Sequence, residues 1–328
     1  MKVSFIVVSY NQEKYIDEAL DGCFSQDYSN IEFIIADDRS TDKTFDRIQS
    51  YIEKHNLHSK VLAYQNPQNL GVVKNLNTAI EKSSGDILIC IGGDDVALPH
   101  HASSVVSAFK THNVSLVAAN SLIMNEAGQL GGQLYAANHK AFDLRETIHR
   151  GHANVAGAGS AWSRELFDVF GPMPTGIQNE DQNIPFRANL LRGISINYTP
   201  CLKYRLHDKS LSSWLWRENS LTQYVENYYG NFPNLISHYR NWAEMYDMHG
   251  AKDPALRRKI QQRIDFYQKA LELRDASVFM RLIKLSPYFQ HIWWREWVEA
   301  TGGRFSLGTI RAARILRNKL RALKAGSS

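Results

Sequence analysis

The chain has 328 residues, of which 44% are hydrophobic and 22% are charged. This composition is ordinary for a folded globular protein, so it argues against a disordered chain and allows one large α/β domain with an appendage. The net charge is +5, yet the segment 302–328 carries seven basic residues and no acid, which leaves the preceding chain at −2. The positive charge therefore belongs to the C-terminal segment.

The three cysteines, Cys23, Cys90 and Cys201, are widely spaced and form no CxxC motif. We therefore expect buried or free thiols in a reducing compartment, and no zinc site. The N-terminal apolar run Val3–Val8 is too short for a secretory signal and predicts a first strand. Because no stretch approaches 18 consecutive apolar residues, we predict no membrane-spanning helix and expect a cytoplasmic location.

The first 125 residues alternate between strand and helix patterns, each about as long as a βα unit requires. This alternation predicts an α/β, Rossmann-like fold with a mainly parallel, doubly wound sheet. No GxGxxG follows the first strand and no GxxxxGK[ST] occurs, which argues against dinucleotide-binding and P-loop proteins. The predicted strands lie at about 3–10, 31–38, 60–66, 86–91 and 115–124, and the predicted helices at about 13–25, 42–54, 71–82 and 99–111.

Two adjacent carboxylates, Asp94 and Asp95, follow a glycine pair at the end of the apolar run Ile87–Ile91. One interpretation is a solvated turn before a helix that begins at Pro99. The other is a site where a hard divalent cation and a phosphate-bearing ligand bind together. Polar residues also follow two other predicted strands, and strand ends of this kind border the ligand crevice of an open α/β sheet. This convergence favours the metal site.

Four stretches in fixed order, Val3–Asn11, Asp37–Thr44, Asn69–Asn75 and Gly85–Asp95, resemble family 2 of the inverting glycosyltransferases. The resemblance covers roughly residues 3–210, and it implies the nucleotide-sugar GT-A fold. The chain departs from the family pattern at Gly92, where many members carry a further acid.

The resemblance also implies roles for individual residues. In the donor half, Tyr10 would flank the uracil or other base, and Asp38 would contact the edge of the base. The remaining implied donor contacts are Lys74 near the base or phosphates, Asp94 near the ribose, and Asp95 as the ligand of Mn²⁺ or Mg²⁺ on the diphosphate.

Downstream, Glu180 and Asp181 fall where the family places a Glu-Asp pair, and Asp181 corresponds to the general base. The alternative is that the two acids only complement the dipole of a helix N-terminus. The stretch 204–212 resembles the closing loop of the family, in which His207 would ligate the metal and Arg205 or Lys209 would neutralise the departing diphosphate. An isolated surface histidine is the alternative at position 207.

We expect a GT-A domain over residues 1–212, with a nucleotide-sugar half at 1–125 and an acceptor half at 126–212. A helical extension is predicted at 213–301, where aromatic residues recur at helical spacing and are expected in its core. Residues 302–328 form a basic amphipathic pattern. This tail either lies peripherally on an anionic membrane, on the inner face of the cytoplasmic membrane, or packs its leucines on the catalytic domain.

The resemblance implies a metal-dependent inverting glycosyltransferase with a nucleoside diphosphate sugar as donor, UDP being the expected nucleotide. The acceptor would be a hydroxyl of a saccharide or of a lipid-linked acceptor in bacterial surface polysaccharide assembly, and no nucleic-acid partner is expected. Two alternatives stay open. A catalytically silent nucleotide-sugar-binding or scaffold protein would not need Asp181, and a nucleotidylyltransferase should carry a glycine-rich basic loop after the first strand, where Ser9–Glu13 stands.

Overall fold

The computed structural model describes residues 1–174, 180–207, 221–289, 292, 296–298 and 300–301. The chain divides into two compact units. The first unit contains Met1–Leu144 and Ala153–Leu206, and the second contains Arg145–His152 and His207–Ser328. The predicted boundary at 212 and the basic tail at 302–328 lie outside the described residues. Among the described helices, none has the length and apolar character needed to cross a bilayer.

Within the described residues, the first unit contains one mixed sheet of nine strands. The strands are β1 (Val3–Ser9), β2 (Ile31–Asp37), β3 (Val61–Gln65), β4 (Ile87–Gly92), β5 (Val96–Ala97), β6 (Leu116–Asn125), β7 (Leu130–Gln133), β8 (Ala161–Ser163) and β9 (Ile194–Leu206). The helices up to the middle of the chain are α1 (Ile16–Phe24), α2 (Thr44–Lys54), α3 (Val72–Glu81), α4 (His101–His112), α5 (Leu144–Arg150), α6 (Glu165–Phe170) and α7 (Glu180–Leu190).

The first half of the sheet is parallel, with the strand order β3-β2-β1-β4. Successive side chains of β1 point to opposite faces, as the two-residue period of a strand requires. Phe5 and Val7 pack with α1, α2 and α4 on one face, while Ile6 packs with α3 and α7 on the other. Each such buried side chain contributes roughly 1.5–3 kcal/mol, so both faces stabilise the sheet. The predicted α/β fold with a buried parallel sheet is confirmed.

The second half of the sheet is mixed, because it contains an antiparallel strand, β8, that the sequence pattern did not predict. We expected the strand at 115–124 to extend the parallel sheet, but β8 lies between β4 and β6 and runs antiparallel to both. Strand β8 has only three residues, which are too few to show an alternation of apolar and polar residues in the sequence. Strand β9 has 13 residues, pairs in parallel with β6 and shifts register at Pro200. Tyr204 and Arg205 therefore belong to a strand rather than to a loop.

The second unit is helical. Its helices after α7 are α8 (Leu221–Gly230), α9 (Phe232–Met248), α10 (Pro254–Glu272) and α11 (Val278–Leu285). Trp242 and Tyr229 are at most 2% exposed, which confirms that these aromatic residues form core, whereas Trp214 and Trp216 lie outside the described residues. The buried Arg263 of α10 donates to the carbonyl oxygen of Ile148 at 2.7 Å and pairs with Glu296 at 2.9 Å. These contacts hold the segment Arg145–His152 in this unit, an arrangement that the sequence pattern did not predict.

Candidate active site

The ends of β1 and β2 are joined by side-chain hydrogen bonds from both strands. Asn11 has a left-handed backbone with φ of 53°, and its Oδ1 accepts from the Thr41 backbone N–H at 2.8 Å. Asp37 is fully buried and accepts from Ser9 Oγ at 3.1 Å and from the Ser40 backbone N–H at 2.9 Å. Tyr10, the predicted neighbour of the base, is 45% exposed beside them. The polar residues at these strand ends therefore form a fixed rim with one exposed aromatic ring.

Asp38 organises the loop before α3. Its carboxylate is 3% exposed and accepts from the backbone N–H groups of Leu70 and Gly71, each at 2.8 Å, and from Asn66 Nδ2 at 2.9 Å. Lys74 lies exposed on the first turns of α3. The predicted contacts of Asp38 and Lys74 with the donor stay predictions. The structure shows in addition that Asp38 joins the end of β2 to the loop before α3 through its hydrogen bonds to Leu70 and Gly71.

The turn after β4 carries Asp94 and Asp95. A Cβ at Gly93 would lie 2.6 Å from Gln12 Oε1, so this position accepts only glycine without rearrangement. A Cβ at Gly92 would lie 2.5 Å from Asp94 Oδ1. The Asp94 carboxylate thus occupies the space that the acid common at position 92 in the family would need.

Asp95 is 5% exposed and accepts a hydrogen bond from the Arg205 backbone N–H at 2.9 Å. Burial and the charge of the adjacent Asp94 raise its pKa well above the ordinary value of an aspartate. A raised carboxylate pKa means that the surroundings leave negative charge undercompensated. Oxygen ligands of this kind suit Mn²⁺ or Mg²⁺, so the residues present fit a divalent cation.

The described residues contain no group of three or more His, Cys, Asp or Glu side chains arranged to hold a metal ion. Asp95 would therefore be a protein ligand of an open site, in which diphosphate and water oxygens supply further ligands, as is usual for Mg²⁺ in phosphate enzymes. The predicted place of Asp94 near the ribose stays a prediction. His207 lies in the second unit, and its ligation of the metal stays a prediction.

Arg205 stabilises the turn that carries Asp94 and Asp95. Its side chain is 2% exposed, and Nε donates to the Asp94 carbonyl oxygen at 2.9 Å while Nη2 pairs with Glu18 at 2.7 Å. The guanidinium carbon lies 4.8 Å from the centre of the Tyr15 ring. Both the backbone and the side chain of Arg205 thus hold the Asp94–Asp95 turn in place. The predicted contact of Arg205 with the diphosphate stays a prediction, and Lys209 lies outside the described residues.

A second pair of carboxylates, Glu180 and Asp181, begins α7. Burial raises the pKa of Asp181 to about 6. Burial and the neighbouring Asp181 charge raise the pKa of Glu180 to about 7. Asp181 Oδ1 is buried and has no hydrogen-bond partner among the described residues. The positive end of the helix dipole would lower these pKa values, so burial prevails over the dipole here.

Three residues surround this pair. A Cβ at Gly157 would lie 2.9 Å from Glu180 Oε1 and 3.1 Å from the Asp181 Cβ, so the glycine lets the loop approach the pair closely. Burial, with a contribution from the Glu180 charge, raises the pKa of Cys90 on β4. Burial, with a contribution from Asp181, raises the pKa of Tyr135 to about 12. The pair therefore lies beside β4, the strand that leads to Asp94 and Asp95.

The loop opposite this pair is held by residues that the sequence analysis did not identify. Tyr135 Oη accepts from the Ala156 backbone N–H at 2.8 Å, and the Nε2 atom of the buried His101 lies 2.9 Å from the Gly159 carbonyl oxygen. Burial lowers the pKa of His101 to about 4, so its imidazole is neutral near pH 7. Each of these two contacts joins residues that lie more than 20 positions apart in the sequence, so no local spacing predicts them.

The fold, with its two carboxylate pairs at one sheet, is of the GT-A class. The family model of glycosyl transferase family 2 matches residues 4–171, and the chain belongs to this family. It is 32% identical over 135 residues to an uncharacterized glycosyltransferase of Haemophilus influenzae, an alignment that covers 40% of this chain and 41% of that protein. The chain thus spans less than half the length of the first curated relatives that it matches.

Two solved structures share the fold. One is residues 1–349 of TarS from S. aureus in complex with UDP-GlcNAc, with a TM-score of 0.57, 17% identity, and coverage of 97% of this chain and 92% of that one. The other is the mannosyltransferase PcManGT from Pyrobaculum calidifontis in complex with GDP-Man and Mn²⁺, with a TM-score of 0.51, 16% identity, and coverage of 97% and 88%. These likenesses confirm the GT-A fold with a helical C-terminal region.

Proposed function

We propose that the chain is a metal-dependent inverting glycosyltransferase. It moves a sugar from a nucleoside diphosphate sugar, with UDP as the nucleotide, to a hydroxyl of a saccharide or lipid-linked acceptor in bacterial surface polysaccharide assembly. Family membership supports the use of a nucleotide sugar. The TarS complex with UDP-GlcNAc supports the choice of UDP, and the PcManGT complex supports the choice of Mn²⁺.

The observation that carries the proposal is the state of Asp181. Its buried Oδ1 has no partner among the described residues, and its pKa is raised to about 6. A group with this pKa is ionised at neutral pH but binds a proton more readily than an ordinary aspartate, which is what a general base needs. A residue that only complements a helix dipole would be solvated, and its pKa would not be raised.

The chemistry needs one displacement. Asp181 takes the proton of the acceptor hydroxyl while the hydroxyl oxygen forms a bond to the anomeric carbon. The bond from that carbon to the diphosphate breaks, and the electron pair leaves with the diphosphate. Attack on the face opposite the leaving group inverts the anomeric centre, so no covalent enzyme intermediate is required.

The donor side of the site provides binding and charge. Asp95 would hold the divalent cation, which when bound stabilises the negative charge of the diphosphate, and Asp94 would approach the ribose. Asp38 fixes the loop that precedes α3, and Arg205 fixes the carboxylate turn. Both residues reduce the reorganisation that the protein must undergo when the donor binds, and such preorganisation lowers the cost of binding.

The proposal is tested with a panel of UDP and GDP sugars, each scored for thermal stabilisation and for hydrolysis with and without Mn²⁺. We expect at least one UDP sugar to stabilise the chain only when Mn²⁺ is present, by the linkage between binding and stability. Asp95→Asn should abolish that metal-dependent stabilisation, while Asp46→Asn, at an exposed aspartate on α2, should leave it unchanged.

Metal-dependent nucleotide binding that is unchanged in Asp95→Asn would refute the assignment of this residue. Tight nucleotide-sugar binding without hydrolysis or transfer for any donor would instead support the catalytically silent binding protein.

A further inference from the structure

The hydroxyl group of Tyr135 is bonded among the described residues as an acceptor only. The side chain is 4% exposed, and Oη accepts from the Ala156 backbone N–H at 2.8 Å. A phenol also carries an O–H donor. Buried polar groups of folded proteins nearly always find hydrogen-bond partners. The O–H of Tyr135 is therefore available to a partner that the described part of the chain does not supply.

Asp181 shows the complementary deficiency beside the same loop. Its buried Oδ1 is an acceptor without a donor among the described residues. Tyr135 Oη is bonded to Ala156, and a Cβ at the next residue, Gly157, would lie 3.1 Å from the Asp181 Cβ. Burial, with a contribution from the Asp181 charge, raises the pKa of Tyr135, so the two groups are close enough to interact. A donor and an acceptor that lack partners thus border one short loop.

Tyr135 is held in place through both its backbone and its ring. Asn120 Oδ1 accepts from the Tyr135 backbone N–H at 2.8 Å, and Asn120 Nδ2 donates to the Tyr135 carbonyl oxygen at 3.1 Å. The His139 ring stacks on the Tyr135 ring with 4.4 Å between their centres, and its Nε2 lies 2.7 Å from the Asn154 carbonyl oxygen. A side chain fixed in this way can orient a ligand at little further cost in conformational entropy.

The two available groups define the chemistry of the ligand that fits between them. The ligand must donate to Asp181 Oδ1 and accept from the Tyr135 O–H. A carboxylate only accepts and an ammonium group only donates, so neither can satisfy both. A hydroxyl group carries one O–H and two lone pairs, so it can make both hydrogen bonds and keep one lone pair for attack on an electrophile.

We propose that Tyr135 binds the reacting hydroxyl of the acceptor by donating to its oxygen, while Asp181 accepts the hydroxyl proton. This role rests on the proposed transferase function. The hydroxyl oxygen forms its bond to the anomeric carbon through its remaining lone pair, and its proton passes to Asp181 Oδ1. The electron pair of the broken bond leaves with the diphosphate. Tyr135 keeps its own proton, because a phenol with a pKa of about 12 is neutral at pH 7.

The first test uses a UDP sugar that the unchanged chain hydrolyses, with methanol in place of the unidentified acceptor. Tyr135→Phe removes only the hydroxyl group, and we expect kcat/KM for methanol to fall about tenfold, because an orienting contact with the nucleophile is lost. The donor affinity, measured by isothermal titration calorimetry, should change less than about twofold, because Tyr135 does not contact the donor. The matched control is Tyr198→Phe, which removes an exposed hydroxyl that donates to the His139 carbonyl oxygen at 2.6 Å. This control should keep the kcat/KM of the unchanged chain.

The second test separates acceptor binding from support of the loop, because Tyr135→Phe also leaves the Ala156 N–H without its acceptor. The measurement is the titration of Asp181 by carbon-13 NMR in this variant. If Tyr135 binds the acceptor, Asp181 should still titrate near pH 6. If the hydroxyl only supports the loop, water should reach Asp181 and its pKa should fall toward the ordinary value of about 4.

A third measurement does not depend on the folding of the variant. 3-Fluorotyrosine in place of Tyr135 keeps the hydroxyl group, and fluorine-19 NMR then reports on its surroundings. With UDP and Mn²⁺ present, the resonance at position 135 should shift as methanol is added and then reach a plateau, as binding at a site requires. 3-Fluorotyrosine in place of the exposed Tyr198 should show only a linear solvent effect.

Three results would overturn the role of Tyr135 and leave the transferase function standing. They are a kcat/KM for methanol in Tyr135→Phe equal to that of the unchanged chain, a lower value accompanied by an Asp181 that titrates near pH 4, and a fluorine resonance at position 135 that reaches no plateau. An unchanged chain that hydrolyses none of the sugar nucleotides would instead contradict the proposed function, and the role of Tyr135 with it.

Discussion

Asp38 and Asp181 are both withdrawn from water in the first unit, yet the protein treats the two carboxylates in opposite ways. Asp38 accepts hydrogen bonds from two backbone N–H groups and one amide side chain. Asp181 Oδ1 has no partner among the residues that the structure describes, and burial raises its pKa to about 6. The protein itself supplies the hydrogen-bond donors of Asp38, whereas Asp181 Oδ1 is available to a group that does not belong to the protein.

The two carboxylates therefore have different roles: Asp38 stabilises the structure of the site, and Asp181 is proposed to take part in its chemistry. A carboxylate that accepts several N–H bonds is stabilised as an anion and becomes a weak base. A carboxylate that is buried without partners costs stability but gains basicity. Asp38 therefore acts as a fixed structural group, whereas Asp181 is proposed to take part in proton transfer.

The largest expected effect is on turnover. Asp181→Asn removes the base without changing the size of the side chain, so we expect kcat to fall roughly 10²- to 10⁴-fold, the usual weight of general-base catalysis. The affinity for the nucleotide sugar should stay nearly unchanged, because Asp181 acts on the acceptor. Steady-state kinetics measures kcat, and isothermal titration calorimetry measures the affinity for the donor. The control variant is Asp168→Asn, at an exposed aspartate of α6. Near-normal turnover in Asp181→Asn would return this residue to the role of dipole complement.

Asp38→Asn should show the opposite behaviour, with its main effect on stability. The amide keeps one accepting oxygen and replaces the other with an N–H donor, so part of the set of donors that Asp38 accepts from loses its partner, at a cost of about 1–3 kcal/mol. Urea denaturation measures this loss, and Asp46→Asn should lose almost nothing. If Asp38→Asn abolishes nucleotide binding while its unfolding free energy is unchanged, the direct contact with the base, and not the loop, explains this residue.

A smaller effect is expected at Gly157. The added Cβ of Gly157→Ala would press on Glu180 Oε1, which can rotate away, and on the Asp181 Cβ, which cannot move without the helix. Small displacements of catalytic groups are costly, so we expect kcat to fall about tenfold. Gly132→Ala on β7 is the matched control, because its Cβ would meet no atom within 4 Å. Equal activities of the two variants would show that the loop does not position the carboxylate pair.

The parallel half of the sheet was predictable because its strands bury both faces and read as continuous apolar runs such as Ile87–Ile91. The mixed half was not, because β8 has three residues and β9 contains a proline at a register shift. Arg145–His152 joins the second unit through Arg263, more than 100 positions away, and no local pattern encodes such a contact.

Parts of the site followed from strand ends. Asp94, Asp95 and Asp38 lie at the carboxyl ends of parallel strands, where the topology brings polar residues together. What each side chain does there was harder to predict. The contact of Arg205 with the diphosphate stays a prediction, but the sequence did not show that its guanidinium is buried against the Asp94 carbonyl oxygen and Glu18, because position 205 lies inside β9. Partner choice of this kind depends on tertiary packing, which residue type and spacing do not determine.

We propose that Asp181 is a desolvated base, and the pH titration of its carboxyl group tests this role most directly. Carbon-13 NMR of aspartate carboxyls, with the resonance assigned by its loss in Asp181→Asn, follows ionisation in the intact protein. We expect Asp181 to titrate near pH 6, so that it is protonated below this pH and ionised above it. Because the ionised form is the base, the transfer rate should rise with pH through the same value. An Asp181 carboxyl that titrates near its ordinary value of about 4, with a transfer rate already at its plateau by pH 5, would contradict it.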